Sequence, residues 1–360
     1  MTVLVCGGAG YIGSHAVKRL LSAGRRVVVL DNLSTGHRVA VGETPFIQCD
    51  ITRRESLGEV IRRYKINAVM HFAALCLVGE SVHRPLDYYR HNLAGTLNLL
   101  EAMIENGVNK IVFSSTAAVY GDPAQIPIPE DHRRVPVNPY GATKLAAEEM
   151  IRCFGRAYGL RYVIFRYFNA AGADPDGGLG EDHNPETHLI PRILMAAEGL
   201  LPEITVLGAD HPTPDGTCIR DFIHVNDLSG AHMLALNLLE SGGGPAVYNL
   251  GSGKGFSVRE VILAAEEVTG KKIRVAEGAR RPGDPSILVA SPAKAVRELG
   301  WRPRYGDLKT IIDTAWNWHR RHPGGYAGKR QELGIENWES GAALRQLDGF
   351  FHKEGESQHT

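Results

Sequence analysis

The sequence predicts an α/β protein with a doubly wound, parallel, Rossmann-type sheet followed by a smaller C-terminal α/β domain. Three observations predict this fold. Short apolar runs alternate with segments of helical spacing, a glycine-rich turn follows the first run directly, and an aspartate ends the second run. Alternation of strands and helices at this spacing is typical of repeated β-α-β units, whose strands lie parallel.

The strand candidates are runs of four or more mostly apolar residues, as expected of strands that are buried on both faces. They occupy residues 3–6, 26–30, 46–49, 68–72, 110–114 and 162–165. Helical spacing between them predicts helices at 14–23, 56–64, 92–106 and 140–158. After about residue 169 the pattern gives way to Gly/Pro/Asp-rich stretches with helices near 189–198, 226–239 and 258–269. Such loop-rich sequence is expected of a smaller ligand-capping domain.

Composition excludes several classes of partner. The 360 residues are 43% hydrophobic, and 40 basic residues balance 40 acidic ones. A net charge of zero gives no global field to attract nucleic acid or an anionic membrane surface. Five cysteines without CxxC spacing and no secretory-type apolar segment predict a reducing, cytoplasmic location. No apolar run approaches the roughly 20 residues needed to cross a bilayer, so no membrane insertion is expected.

The glycine-rich turn predicts a dinucleotide site. Gly7, Gly10 and Gly13 have GxxGxxG spacing, and the predicted helix start near Tyr11 and Ile12 follows at once. Glycines allow a tight turn and close approach to a pyrophosphate, while a helix N-terminus offers free N–H groups and a positive dipole end. A structural strand-to-helix turn is the alternative interpretation of such a motif taken alone.

An acidic residue at the end of the second strand favours the dinucleotide interpretation. Asp31 lies about 20 residues beyond the turn, where a carboxylate accepts the adenosine ribose hydroxyls and repels a 2′-phosphate. The expected cofactor is therefore NAD, not NADP. Asn32, Asp50 and Ile51 follow strand ends and are expected to flank the adenine.

Tyr140 and Lys144 form a candidate reactive pair. At i and i+4 they project from one face of a helix, and Pro139 is a helix-start signal. Ser114 and Thr116 lie at the end of a predicted strand. The carboxyl end of this strand should face the same ligand-binding crevice as the helix that carries Tyr140 and Lys144. A nearby ammonium favours the phenolate of a tyrosine, which makes Tyr140 a candidate general base. On spacing alone, the pair is more often a surface pair.

The sequence as a whole resembles the UDP-glucose 4-epimerase family of the extended short-chain dehydrogenase/reductases. The resemblance covers roughly residues 2–326, and it lies in a dozen short strings that occur in that family's order. They read GGAGYIGS, DNLSTG, CDI, HFAAL, VGES, SSTAAVYG, YGATK, RYFNAAGA, HLIP, RDFIHV, YNLGSG and RRPGDP.

The resemblance implies a role for residues at matching positions. Tyr140 would be the base, Lys144 its partner and holder of the nicotinamide ribose, and Thr116 would hydrogen-bond the 4-hydroxyl of the sugar. The cofactor wall would comprise Phe72, Ala73, His91 or Asn92, Ser114, Tyr167 and Phe168. The nucleotide sugar would contact Asn169, His188, Leu189, Arg220, Arg281 and Asp284. Without the family context, the two arginines would be interpreted as members of surface ion pairs.

The function implied by the resemblance is interconversion of UDP-glucose and UDP-galactose. C4 of the sugar is oxidised by NAD, the 4-keto sugar rotates, and the hydride returns to its opposite face. The resemblance also implies a homodimer formed by helices 86–106 and 140–158. Residues 1–170 would bind NAD, 171–328 would mainly bind the nucleotide sugar, and 329–360 would be a partly disordered tail.

Two positions depart from the family pattern. Cys76 stands where several members carry lysine, so a charge near the NAD ribose is missing and cofactor retention could be weaker. Leu288 stands at a position whose size gates access of N-acetylated sugars, and it is neither bulky tyrosine nor a small residue. Acceptance of N-acetylated or pentose UDP-sugars therefore stays open. The 15 histidines show no HExxH spacing, and no metal site is predicted.

Two rival functions use the same fold. A nucleotide-sugar 4,6-dehydratase would carry Asp-Glu directly after Thr116 to remove the C5 proton and to protonate the C6 hydroxyl, but Ala117 and Ala118 stand there. An NAD-sensing binding protein would be expected to lack Tyr140 or Lys144, and both are present.

Overall fold

The computed structural model describes residues 1–280 and 285–327. Its central sheet has seven parallel strands in the order β10-β6-β5-β4-β1-β2-β3. These strands are β1 (Thr2–Cys6), β2 (Arg26–Asp31), β3 (Phe46–Gln48), β4 (Ala68–His71), β5 (Lys110–Thr116), β6 (Arg161–Tyr167) and β10 (Ala246–Leu250). The predicted doubly wound, Rossmann-type α/β fold is confirmed.

The described helices lie in both halves of the chain, and some of them cover the two faces of this sheet. Those of the first half of the chain are α1 (Tyr11–Ser22), α2 (Arg54–Arg63), α3 (Val78–His83), α4 (Pro85–Tyr88), α5 (Gly95–Glu105) and α6 (Pro139–Tyr158). Those of the second half are α7 (Leu189–Ala197), α8 (Val225–Glu240), α9 (Val258–Thr269), α10 (Ala293–Leu299) and α11 (Leu308–Arg321). A π-helical turn, Tyr89–Ala94, joins α4 to α5.

Side chains of the strands alternate between two apolar cores. In β1, Val3 and Val5 join the core beneath α1 and α8, whereas Leu4 and Cys6 join the core beneath α2, α5 and α6. Burial on both faces is the reason that the strands read as continuous apolar runs and not as an alternating pattern.

Residues beyond 170 contribute both to this sheet and to a separate core. Strand β10 pairs with β6, and α8 packs against α1. The remaining strands form two small sheets, which comprise β7 (Asn169–Ala171), β8 (Ile204–Leu207), β9 (Ile219–His224), β11 (Gly255–Ser257), β12 (Val275–Gly278) and β13 (Ile287–Leu288). With α7, α9 and α11 they enclose a third apolar core. The predicted boundary at 170/171 stays a prediction.

By its contacts the chain divides into one compact unit, Met1–Arg321, and a second that begins at His322. Of the second unit the structure describes residues 322–327, which include a 3₁₀ turn, Gly325–Ala327. The predicted tail 329–360 lies outside the described residues. Among the described helices, none is both long and apolar enough to cross a membrane.

Candidate active site

The glycine turn between β1 and α1 is folded so tightly that side chains at two of its glycines would collide with the backbone. Gly7 has φ +76°, and a Cβ there would lie 2.5 Å from the Ala73 nitrogen; a Cβ on Gly13 would lie 2.1 Å from the Gly7 oxygen. Gly10 precedes α1 and provides no side-chain cap. The N-terminal end of α1, with its positive dipole end, therefore fits a pyrophosphate.

Asp31 ends β2 beside this turn. Its carboxylate accepts hydrogen bonds from the Ala9 N–H at 2.9 Å and from the Leu33 N–H at 2.8 Å. Burial raises the pKa of Asp31, and these two donors oppose that effect. Because a carboxylate has about four acceptor positions, two are left for ribose hydroxyls.

A second carboxylate group lies at the end of the neighbouring strand. Asn32 donates to Asp50 at 2.9 Å, and the Thr52 backbone and hydroxyl donate to it at 2.8 and 2.7 Å. Burial opposes ionisation of Asp50, but these donors outweigh it and lower its pKa. Ile51 is buried against Gly95. The expected adenine-flanking residues thus lie together at one edge of the sheet.

The chain that follows β4 lies against the glycine turn. Phe72 and Ala73 both donate their N–H groups to the Cys6 oxygen, at 2.8 and 3.0 Å. Asn92 lies in the π-helical turn, where its amide exchanges hydrogen bonds with the Leu75 backbone. The same amide nitrogen lies 3.3 Å from the Thr143 hydroxyl of α6, so Asn92 connects the cofactor wall to that helix.

Local sequence sets the position of Tyr140. Asn138 caps α6 by accepting from the Gly141 N–H at 2.9 Å, and Pro139 occupies the first helical position. A Cβ on Gly141 would lie 2.5 Å from the Ala118 oxygen, so glycine lets the helix approach the end of β5. The phenol of Tyr140 consequently lies near the hydroxyl of Thr116, the last residue of β5, which acts to lower its pKa.

Lys144 lies one helical turn further on and is buried. Its ammonium donates to the Ser114 backbone oxygen at 2.8 Å and lies 5.0 Å from the centre of the Phe113 ring. Tyr167 donates its hydroxyl to the Ser114 side chain. The structure therefore brings together Tyr140, Thr116, Lys144 and Ser114 at the carboxyl end of β5, as the sequence predicted.

Burial dominates the acid–base properties of this group. Burial raises the pKa of Tyr140, the neighbouring Cys76 raises it further, and the Thr116 hydroxyl opposes both effects. Burial lowers the pKa of Lys144 to about 8, against the opposing influence of Cys76 and Glu148. The exposed Cys76 is thus an electrostatic neighbour of both residues, which spacing did not indicate.

The residues expected to hold a nucleotide sugar lie partly on the small sheet of β7, β9, β11 and β13 and partly at the start of α7. Asn169 opens β7 and pairs in register with Phe222 of β9, while Arg220 of β9 lies in register with Leu288 of β13. Leu288 packs against the apolar cluster that contains Ala117 and Phe168. His188 and Leu189 lie at the start of α7. Arg281 and Asp284 lie outside the described residues.

Sequence reasoning missed a polar cluster beside the expected substrate residues. Ligand-type atoms of Glu181, His183, Glu186 and His188 all lie within 4.8 Å of one another. The spacing E-x-H-x-x-E-x-H was its only signal. A search for HExxH spacing does not detect this pattern.

The sheet and its Tyr–Lys helix define a class of protein: dinucleotide-dependent enzymes of the Rossmann type. Residues 3–251 match the model of the NAD dependent epimerase/dehydratase family. The chain belongs to this family, which confirms the resemblance seen in the sequence and the prediction of an NAD-dependent enzyme.

Curated relatives match almost from end to end. The UDP-glucose 4-epimerase of Halalkalibacterium halodurans is 52% identical over 92% of this chain and 99% of its own length. That of Azospirillum brasilense is 50% identical over 88% of this chain and 92% of its own.

Solved structures match over a similar share of the chain. UDP-glucose 4-epimerase from Brucella ovis in complex with NAD has a TM-score of 0.85 at 52% identity, covering 88% of this chain and 97% of its own. The Bifidobacterium longum enzyme in complex with NAD⁺ and UDP has a TM-score of 0.87 at 38% identity, covering 91% of this chain and 100% of its own.

Proposed function

We propose that this chain interconverts UDP-glucose and UDP-galactose with tightly held NAD, and so serves galactose metabolism. One observation carries the proposal: Thr116, Tyr140 and Lys144 meet at the carboxyl end of β5 in a chain about half identical to UDP-glucose 4-epimerases. The glycine turn and Asp31 would hold the dinucleotide at the same edge of the sheet.

Proton movement is the task of Tyr140 and Thr116. The phenol oxygen of Tyr140 would take the proton of the sugar O4 hydroxyl, through or beside the neighbouring Thr116 hydroxyl. Lys144 would orient the nicotinamide ribose from its position one helical turn beyond Tyr140. When bound, NAD supplies a reversible hydride acceptor for C4 of the sugar.

The nucleotide must stay anchored while the oxidised hexose rotates in the pocket. Arg220 would bind the diphosphate, because a guanidinium pairs with phosphate oxygens in a bidentate manner. Its neighbours Asn169 and Leu288 would contact the sugar side of the pocket, and His188 with Leu189 would lie along the nucleotide. Arg281 and Asp284 are expected to complete the grip. Binding energy far from C4 then allows rotation without release.

The decisive experiment is incubation of the purified protein with UDP-glucose or UDP-galactose and no added NAD, followed by chromatography and mass spectrometry. Epimerisation at C4 conserves mass. The rival 4,6-dehydratase reaction removes one water, and it needs an acid and a base that Ala117 and Ala118 do not supply. A dehydrated sugar as the main product would overturn the proposal, and so would the absence of any turnover.

A second candidate substrate is an N-acetylated UDP-hexose. A structural neighbour at 41% identity is the UDP-Glc/GlcNAc 4-epimerase of Campylobacter jejuni. Leu288, in register with Arg220, is the residue that would meet the substituent at C2 of the sugar. The same assay with UDP-N-acetylglucosamine decides between a narrow and a broad enzyme.

We also propose that the protein is a cytoplasmic homodimer. Exposed apolar side chains on the helical segment 85–105, among them Leu86, Tyr89 and Leu97, would pair with α6 and with their counterparts on a second copy. All five cysteines are free thiols, as expected in a reducing compartment.

A further inference from the structure

Four polar side chains between β7 and α7 converge on a single point. The Nδ1 atom of His188 lies 2.8 Å from Glu181 Oε1 and 3.2 Å from Glu186 Oε1. The Nδ1 atom of His183 lies 3.3 Å from Glu181 Oε1 and 3.7 Å from Glu186 Oε2. One ligand-type atom from each of the four residues thus lies within a sphere of a few ångströms.

Hydrogen bonding does not account for this convergence. Both Nδ1 atoms are inaccessible to solvent, yet neither makes a hydrogen bond of acceptable geometry despite the carboxylate oxygens nearby. The carboxylates are deeply buried, with Glu181 6% and Glu186 8% exposed. Both imidazoles are within ion-pair distance of the carboxylates, but a buried nitrogen that lacks a well-formed hydrogen bond is costly and calls for an explanation.

The spacing of these atoms matches the coordination shell of a transition metal. Ligand bonds of about 2.0–2.1 Å in a tetrahedron put neighbouring ligand atoms about 3.3 Å apart. The four nitrogen–oxygen separations between 2.8 and 3.7 Å bracket that value. Two imidazole nitrogens and two carboxylate oxygens suit Zn²⁺ and similar divalent ions, whereas Mg²⁺ and Ca²⁺ prefer all-oxygen shells.

We propose that Glu181, His183, Glu186 and His188 form a binding site for one Zn²⁺-class divalent ion. A bound ion would satisfy both Nδ1 atoms and neutralise two buried carboxylates together. Because all four protein ligands are supplied from within eight consecutive residues, the site is closed and structural in character. This proposal departs from the expectation, drawn from motif spacing, that the chain holds no metal.

The loop that bears the cluster lies against the start of α1. Tyr11 donates its hydroxyl to the Gly172 oxygen at 2.6 Å, and its ring meets the edge of the His183 ring with centroids 6.4 Å apart. His37 lies 2.8 Å from the Asp182 backbone oxygen. The ion would therefore hold loop 180–188 in place beside the glycine turn and fix the entry into α7.

The test is metal content and metal-dependent stability of the full chain, purified without a histidine tag and with its bound dinucleotide. The protein is dialysed first against a chelator and then against metal-free buffer, and is titrated with Zn²⁺ alone. We expect elemental (inductively coupled plasma) mass spectrometry to find about one ion per chain. We also expect Zn²⁺ to raise the melting temperature by several degrees. Co²⁺ in place of Zn²⁺ should give the intense visible absorption of a tetrahedral ion.

Variants separate this site from surface binding. Glu181→Gln and His183→Gln remove one ligand each and should abolish stoichiometric Zn²⁺ binding and the metal-dependent shift, while the exposed His83→Gln should leave both unchanged. Retained dinucleotide shows that each variant is folded. Wild-type protein that binds less than a fifth of an equivalent, or variants that bind as wild type does, would overturn the proposal. If both variants fail to fold, the Co²⁺ spectrum of the wild type decides: an octahedral spectrum refutes the site.

Discussion

The fold favours the protonated form of the Tyr140 phenol. The sequence suggested that the ammonium of Lys144 would favour its phenolate, but Lys144 donates to the Ser114 oxygen, and burial raises the pKa of the phenol. The neighbouring Thr116 hydroxyl is the opposing influence in the protein alone. Ionisation of Tyr140 would therefore draw on the positive charge that the oxidised nicotinamide ring brings into the site.

Replacing Tyr140 by phenylalanine keeps the ring and removes the proton acceptor. We expect turnover to fall by on the order of 10² or more with UDP-hexose binding largely retained, because general bases typically contribute 10²–10⁴. Steady-state kinetics and calorimetric binding of UDP measure the two effects. The same change at the exposed Tyr158 is the control. Near-normal turnover of Tyr140→Phe would mean that another group is the base.

Lys144 links the site to stability. Its folded-state pKa of about 8 lies below the ordinary value of 10.5, so the buried ammonium costs free energy at low pH. Between pH 8 and 10.5 the unfolded chain holds a proton that the folded chain has lost, so the contribution of Lys144 to stability rises with pH.

We therefore expect Lys144→Met to gain most over wild type below pH 8 and to lose up to about 3 kcal/mol of that advantage by pH 10.5. Urea unfolding of dinucleotide-free protein at several pH values measures the difference. Lys65→Met, at an exposed site, shows the effect of removing a surface ammonium. A constant difference across this range would contradict the assigned direction of the shift.

Asp31 tests cofactor retention. Asp31→Asn keeps one oxygen acceptor and removes the charge, and hydrogen bonds to charged groups contribute about 1.5–3 kcal/mol. Retention of NAD should fall about 10-fold or more, measured as dinucleotide released on denaturation after dialysis. The exposed Asp122→Asn should retain wild-type amounts. Equal retention of NAD in both variants would show that Asp31 does not contribute to cofactor binding.

At the scale of elements, a buried ion pair ties α6 to the sheet. Arg166 of β6 donates to both oxygens of Glu148 of α6, at 2.6–3.2 Å, and the Ser115 hydroxyl donates to the same carboxylate at 2.5 Å. Both charged side chains are almost completely buried. This pair fixes the helix that carries Tyr140 and Lys144.

Arg166→Met would leave the buried carboxylate of Glu148 with the Ser115 hydroxyl and the more distant guanidinium of Arg134, at 3.8 Å. Breaking a buried pair in this way costs about 3–5 kcal/mol, whereas Arg259→Met, which removes the exposed pair with Glu277, should cost under about 1 kcal/mol. Denaturant unfolding measures both. Similar losses in the free energy of unfolding in the two variants would show that burial does not determine how much each ion pair contributes to stability.

Local pattern determined how far these elements were predictable. The six strands of the first half were found because burial on both faces gives uninterrupted apolar runs. Four of the helices of this half, α1, α2, α5 and α6, were predicted from helical spacing, whereas the short α3 and α4 were not. Strand β10 was missed because its five residues follow a Gly-rich stretch and pair with β6, more than 70 positions earlier. The Glu148–Arg166 pair and the Glu181–His188 cluster depend on three-dimensional proximity, which spacing alone does not show. The GxxGxxG turn and Tyr140–Lys144 were recognisable because neighbouring signals supported their spacing, namely Asp31 for the turn and Pro139 with the Ser114–Thr116 strand end for the pair.

For the whole molecule, the remaining question is what covers the apolar side chains of segment 85–105. Leu86 is 66% exposed, and Tyr89 and Leu97 are 44% and 36% exposed. Clusters of exposed apolar residues on helices mark association surfaces, and a stable interface has to bury more than about 1,000 Å². Pairing of this segment and α6 with a second copy would cover them.

We predict that the protein sediments at twice its chain mass of 39.2 kDa and that its melting temperature rises with concentration. Leu86→Glu combined with Leu97→Glu would place two charges in the interface, so sedimentation velocity should show a monomer at micromolar concentration. The control Leu263→Glu adds a charge at an exposed leucine of α9, away from this segment, and should remain dimeric. Because the glycine turn and Tyr140 belong to a single chain, the monomer should still retain NAD. A wild-type protein that sediments as a monomer would refute the dimer, and a double variant that stays dimeric would place the interface elsewhere.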